Sequence, residues 1–102
     1  MLYRPQKNES HVIIDNWSVR EVTHDGSTTR HLCGVVNGEG RVCSPIQDFD
    51  SSNMSFTSRS GKLYEARGWP GQNNDAEYVW NNFCGIIGVE PTEYTDATKE
   101  YV

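Results

Sequence analysis

The sequence predicts an α+β domain, in which an antiparallel sheet of short strands is followed by one amphipathic helix near the C-terminus. Three observations predict it. Apolar residues recur on a 3.6-residue period only between Asn74 and Gly88. Before that stretch, β-branched and aromatic residues gather in short runs. Turn residues separate those runs at the roughly 8–12-residue spacing of an antiparallel meander.

Residues 1–10, with Pro5 and a polar run, carry no periodicity and are expected as a loosely held arm. Val12 to Val22 is the first strand. Its alternation breaks near Asp15-Asn16, which predicts a bend or bulge there. Beyond the break, Trp17 and Val19 are expected inward, Ser18 and Arg20 outward. His24-Asp25-Gly26-Ser27 is a turn, and Thr28 to Val36 the second strand. Asn37-Gly38-Glu39-Gly40 turns the chain into a third strand, Arg41 to Phe49. Pro45 has no N–H to donate, so that strand belongs at an edge or is bulged there. After a third turn at Asp50-Ser51-Ser52-Asn53, where Asp50 is read as turn chemistry, strands Met54–Ser58 and Lys62–Ala66 flank Arg59-Ser60-Gly61. A left-handed Gly61 sets Phe56 opposite Tyr64 and Met54 opposite Ala66.

Gly68 to Asn73 is loop by composition and leads into the helix. Ala76, Val79, Trp80, Phe83, Cys84 and Ile87 form a single stripe. Asn74 is placed to cap the first turn, and Glu77 completes a capping-box-like pair. Gly85 and Gly88 both suit the far end. Burying this stripe is worth about 10 kcal/mol gross, comparable to the net stability of a whole domain. Residues 89–102 are acidic and broken by Pro91, and are expected as a loose tail laid over the sheet through Tyr94 or Tyr101. A five-stranded sheet of this size curls, so the nearest shape is an SH3-like half-barrel carrying the helix on one face. One domain spans 1–102, with its core at 11–88.

The combination of T-S-R-S-G-K-L-Y, a short Gly-Pro loop and D-A-E-Y-V-W resembles a group of small bacterial proteins of uncharacterised function, over about residues 28–87. The shared motifs are a hairpin turn and a helix start, so no activity comes with them. The resemblance implies a bacterial or phage origin and a cytoplasmic location.

Nine basic against fourteen acidic residues give a net charge of −5. That disfavours a nucleic-acid backbone as partner and fits docking onto a basic surface. The opening M-L-Y-R-P-Q-K-N-E-S holds no apolar leader, and no apolar run approaches a membrane span. Three cysteines at Cys33, Cys43 and Cys84 make no C-x-x-C and read as reduced, buried thiols.

His31 and Cys33 alternate on one strand and so leave the same face, the best metal or nucleophile candidate. If Asn37 faces Gly40, Cys33 opposes Ser44, and Cys43 falls on the other face opposite Gly34. A zinc site then lacks convergent ligands and paired spacing. No metal, cofactor or catalytic residue is assigned. The most suggestive surface is Arg59, Lys62, Tyr64, Arg67 and Trp69, where cations and aromatics interleave. The plainer reading has Trp69 closing the end of the core. The leading expectation is a non-catalytic interaction or adaptor domain that binds a protein partner or a second copy of itself through an exposed edge strand and the tail. The alternatives are nucleic-acid or anionic-ligand binding through the Arg59–Trp69 surface, and a small enzyme using His31 with Cys33 or Cys43.

Overall fold

The computed structural model describes residues 11–102, and the arm expected at 1–10 lies outside them. Strand β1 is His11–His24, β2 Ser27–Val36, β3 Glu39–Val42, β4 Ile46–Asp50, β5 Ser55–Ser58 and β6 Leu63–Ala66. Helix α1 (Asn74–Ile87), strand β7 (Thr95–Asp96) and a 3-10 turn (Thr98–Tyr101) complete the fold. The sheet order is β3-β2-β1-β6-β5-β4, with β7 also on β1.

The chain is therefore α+β, as its periodicities require. The expected five-strand meander, and the SH3-like half-barrel drawn from it, differ from this arrangement in strand count and order. The first strand is central. Its residues His11–Ile14 pair in parallel with β6, and Ser18–His24 pair antiparallel with β2. The register slips between Asp15 and Ser18, where Asn16 sits at φ +48. The bulge falls where the alternation broke, and it lets one strand serve two neighbours. The third expected strand is two strands. Pro45 ends the run along β2, and β4 pairs with β5 instead.

Both Asp25-Gly26 and Asn37-Gly38 have positive φ at both residues, the tight two-residue hairpin turn that follows the twist of the strands. The second turn is centred on Asn37-Gly38, one residue earlier than expected, so Cys33 opposes Val42 rather than Ser44. The last hairpin follows expectation, with Gly61 at φ +92 and Phe56 opposite Tyr64.

The sheet is covered on both faces. One core, the inner one, gathers Ile14, Trp17, Val19, Leu32, Phe56 and Tyr64 on one face. Helix α1 packs on the opposite face, where Ala76, Trp80 and Cys84 bury against Val22 and Cys33. The inward role expected for Trp17 and Val19 is thus separate from the helix seat. Ser18 and Arg20, expected outward, are buried instead. The helix cap is Asn73, not Asn74: its extended backbone lets Oδ1 accept from the N–H groups of Asp75 and Ala76 at 2.8 and 3.1 Å. Gly88 closes the far end in the left-handed conformation.

The tail contributes to both cores. Thr95-Asp96 pairs with Arg20-Glu21, and Ala97 and Thr98 are buried. The Thr98 hydroxyl accepts the Val19 N–H at 2.9 Å. Tyr94 packs edge-on against Trp80, and Tyr101 edge-on against Phe49.

Candidate functional site

The five residues singled out from the sequence do not meet. Tyr64 is 4% exposed and belongs to the inner core, where burial pushes its phenol above the ordinary range. Arg59 and Lys62 flank the β5–β6 turn, and Arg67 and Trp69 follow β6 at its other end, roughly 13 Å away for a four-residue strand. Arg67 is already committed. Its Nε and Nη2 donate to the two Asp15 carboxylate oxygens at 2.8 and 2.7 Å, which holds that carboxyl below its usual range. Trp69 is 88% exposed, so it does not close the core as the plainer reading had it. The plug is Trp17, whose indole N–H donates to the Gly68 carbonyl at 3.1 Å. Accordingly, Trp69→Ala is expected to leave the thermal midpoint within about 2 °C of wild type, since exposed substitutions stay within about 0.5 kcal/mol.

His31 and Cys33 do share the face beneath the helix, while Cys43 lies in the inner core. His31 is fully enclosed. Its Nδ1 meets the Cys43 carbonyl at 2.9 Å, its Nε2 meets the Thr29 hydroxyl at 2.7 Å, and its ring packs on Phe83. Burial holds it below its ordinary pKa despite the carbonyl partner, so it is a neutral ring with both nitrogens occupied. Burial pushes the Cys33 thiol up to about 11 and Cys43 to about 12. A thiol in that range is protonated at neutral pH and is a poor nucleophile. Among the described residues no three His, Cys, Asp or Glu side chains converge as metal ligands. The expected outcome of iodoacetamide treatment at pH 7.5 is hours of protection for all three thiols, with fast modification only after unfolding. A single thiol reacting within minutes in the folded protein would restore the cysteine-enzyme alternative.

One functional-looking residue has no signature in the sequence. Arg20 is 2% exposed under α1, and its guanidinium lies over the Trp80 and Tyr94 rings at 5.1 and 4.6 Å. Glu77 grips it with both carboxylate oxygens, Nη1 to Oε1 at 3.0 Å and Nη2 to Oε2. Burial opposes the charge, but the Glu77 pair outweighs it and holds the guanidinium above its ordinary pKa. This pair ties the helix to the sheet, and the Arg20 charge is already matched.

What the fold leaves open is the outer face of α1. Tyr78 is 68% and Ile86 84% exposed, and Asn81, Asn82 and Gly85 share the same side. No charged side chain occurs between Glu77 and Glu90, in a chain where 23% of residues are charged. Gly85 is not in a left-handed conformation, and a Cβ placed on it meets nothing within 4 Å. Among the described residues, no contact calls for glycine there.

Compared with protein-family models, with curated proteins and with solved structures, the chain matches none. No helix among the described residues is long and apolar enough to cross a membrane.

Proposed function

We propose that this chain is a non-catalytic protein-interaction domain that docks a partner protein, or a second copy of itself, on the outer face of α1. The observation that carries the reading is that solvent-facing helix side, which beyond Asp75 in the first turn carries no charge. A solvated helix face ordinarily carries charges, whereas the centre of an interface is depleted in them and enriched in aromatics. Gly85 supports the same reading. Glycine inside a helix costs about 0.5–1 kcal/mol relative to alanine, and close approach of another backbone is the reason that offsets it. The buried, neutral His31 and the protonated thiols support a role without chemistry. Three free cysteines fit a reducing compartment such as the cytoplasm.

The test is a pair of variants. Tyr78→Lys with Ile86→Lys is expected to abolish retention of the partner from a host lysate, or self-association by sedimentation, while the thermal midpoint stays within a few degrees. Gly85→Ala is expected to stabilise the isolated chain by about 0.5–1 kcal/mol and yet weaken the association. Identical retention and sedimentation in wild type and both variants would remove the helix face from consideration. The alternative through Trp69 has one observation in its favour, the exposed indole. It has lost Tyr64 and Arg67 as partners.

A further inference from the structure

From Gly68 to Thr98 the chain contains no Lys, Arg or His, but it contains Asp75, Glu77, Glu90, Glu93 and Asp96. Two of these carboxylates are matched from outside that stretch. Glu77 holds Arg20, and Asp96 lies in the field of Arg20 and Lys99. Asp75, Glu90 and Glu93 are exposed and make no ion pair among the described residues. They bracket the outer face of α1. Asp75 stands in the first turn, on the side of Tyr78, Asn82 and Gly85. Glu90 and Glu93 follow Gly88, which ends the helix. Beside that end lies a cavity of about 530 Å³. Glu93, Asp25 and His24 line it with Glu21, which Arg30 already holds, and no lysine or arginine does. The helix end adds partial negative charge of its own, and no basic residue stands in its last turn.

We propose that the occupant of the α1 face is a basic amphipathic helix of a partner protein, with an apolar strip along Tyr78, Gly85 and Ile86 and Lys or Arg residues at both ends of that strip. The proposal rests on the reading of α1 as the docking face and names the chemistry of what docks there. Charge decides between the occupants. A second copy would present the same surface to itself. If the two helices ran antiparallel, the Asp75 end of each would meet the Glu90–Glu93 end of the other. If they ran parallel, Asp75 would meet Asp75 and Glu90 would meet Glu90. Like charges oppose both arrangements at both ends. A basic partner turns the same rim into attraction, and its cations complement the negative pole of α1. The net charge of −5 acts in the same direction at longer range.

The helix sets the spacing of its guest. It has 14 residues and is therefore roughly 20 Å long. The partner's basic groups stand about four helical turns apart, with apolar residues between them on one side. Gly85 is the crossing point. It is exposed, and a Cβ there would meet nothing within 4 Å, so a second helix comes closer over it than over any larger residue. Asn81 and Asn82 offer amides that both donate and accept, which suits the polar margin of such a contact.

The experiment selects a displayed library of helical peptides, about six turns long and randomised on one face, against the whole chain at low ionic strength. The most enriched peptide is synthesised and titrated by fluorescence anisotropy. Its targets are the wild type, Tyr78→Lys with Ile86→Lys, and a rim variant, Asp75→Asn with Glu90→Gln and Glu93→Gln. A control of equal charge change on β4 and β6 carries Asp48→Asn, Asp50→Asn and Glu65→Gln. Selected peptides are expected to carry Lys or Arg at both ends of an apolar strip, and the lysine pair to abolish binding. The rim variant is expected to bind about tenfold more weakly and with a flatter salt dependence, and the control to change by less than about threefold. An empty selection, peptides without a basic excess, or equal effects of the rim and control sets overturn the proposal. So does a wild-type dimer in sedimentation that the lysine pair dissociates, which would keep α1 as the docking face and make a second copy its occupant. Peptide binding that survives the lysine pair removes the docking face itself, so the two failures are told apart.

Discussion

Replacing Glu77 with alanine is expected to cost about 3 kcal/mol and to lower the thermal midpoint by about 12–20 °C. The cause is the guanidinium left behind. Arg20 is held under α1 with a side chain only 3% exposed, and both Glu77 oxygens are its anionic partners. Removing one member of a buried pair strands the other without compensation, at about 3–5 kcal/mol. The lower end applies because the Glu77 side chain is 38% exposed and water screens part of the loss. The rings of Trp80 and Tyr94 keep a residual attraction for the cation. If that accounting is right, Arg20→Met combined with Glu77→Leu should recover most of the stability, since no charge then remains under the helix. Chemical denaturation of the three proteins decides it. A Glu77→Ala protein within 0.5 kcal/mol of wild type would mean that the pair does not hold the helix.

Gly40→Ala is expected to be as damaging, at about 3 kcal/mol, although it adds one methyl group. A Cβ at Gly40 would lie 2.3 Å from the Asp75 carbonyl oxygen and 2.8 Å from the Ala76 nitrogen. Both neighbours are backbone atoms of the capped first turn of α1, so no side chain can rotate away. Relief requires the helix to lift from β3, which opens the seat of Trp80 and strains the contact between Arg20 and Glu77. Overpacking a core ordinarily costs about 1–3 kcal/mol, and an immovable neighbour puts this site at the top of that range or beyond it. The same substitution at Gly85 is expected to have the opposite sign, because its Cβ enters open space. Equal effects at the two positions in a urea titration would refute the reading of close helix–sheet contact.

Most local signals in the chain were read correctly, although the helix cap is Asn73 rather than Asn74 and the second hairpin is shifted in register. The apolar stripe placed α1 within a residue of its observed ends. Asp25-Gly26 and Asn37-Gly38 gave hairpins, and the failed alternation at Asp15-Asn16 gave a bulge. Asp50, assigned to turn chemistry, does accept from the Ser52 N–H and hydroxyl and from the Asn53 side chain. The candidate surface fared differently. Interleaved cations and aromatics over Arg59–Trp69 looked like one patch, but a strand sends alternate side chains to opposite faces and its two ends far apart. Tyr64 went to the core and Arg67 to Asp15.

The sequence by itself determined most of the strand segments and turns, though not the division of Arg41–Phe49 into two strands or the presence of β7, and it determined that a helix with one apolar side must be covered. Those properties follow from backbone preferences and from the periods of 3.6 and 2 along a few consecutive residues. Only the tertiary structure decided that β1 lies between β2 and β6, that the helix covers Arg20 rather than Trp17, and that beyond Pro45 the chain leaves β2 and pairs with β5. The first two depend on contacts more than 50 positions apart, β1 with β6 and Arg20 with Glu77. Such a contact forms when two surfaces happen to satisfy each other's area and charge, and neither segment carries a mark of its distant partner. Arg20 and Glu77, 57 positions apart, show it most plainly: in the sequence one reads as an outward strand residue and the other as half of a helix cap, and only the fold makes them a pair.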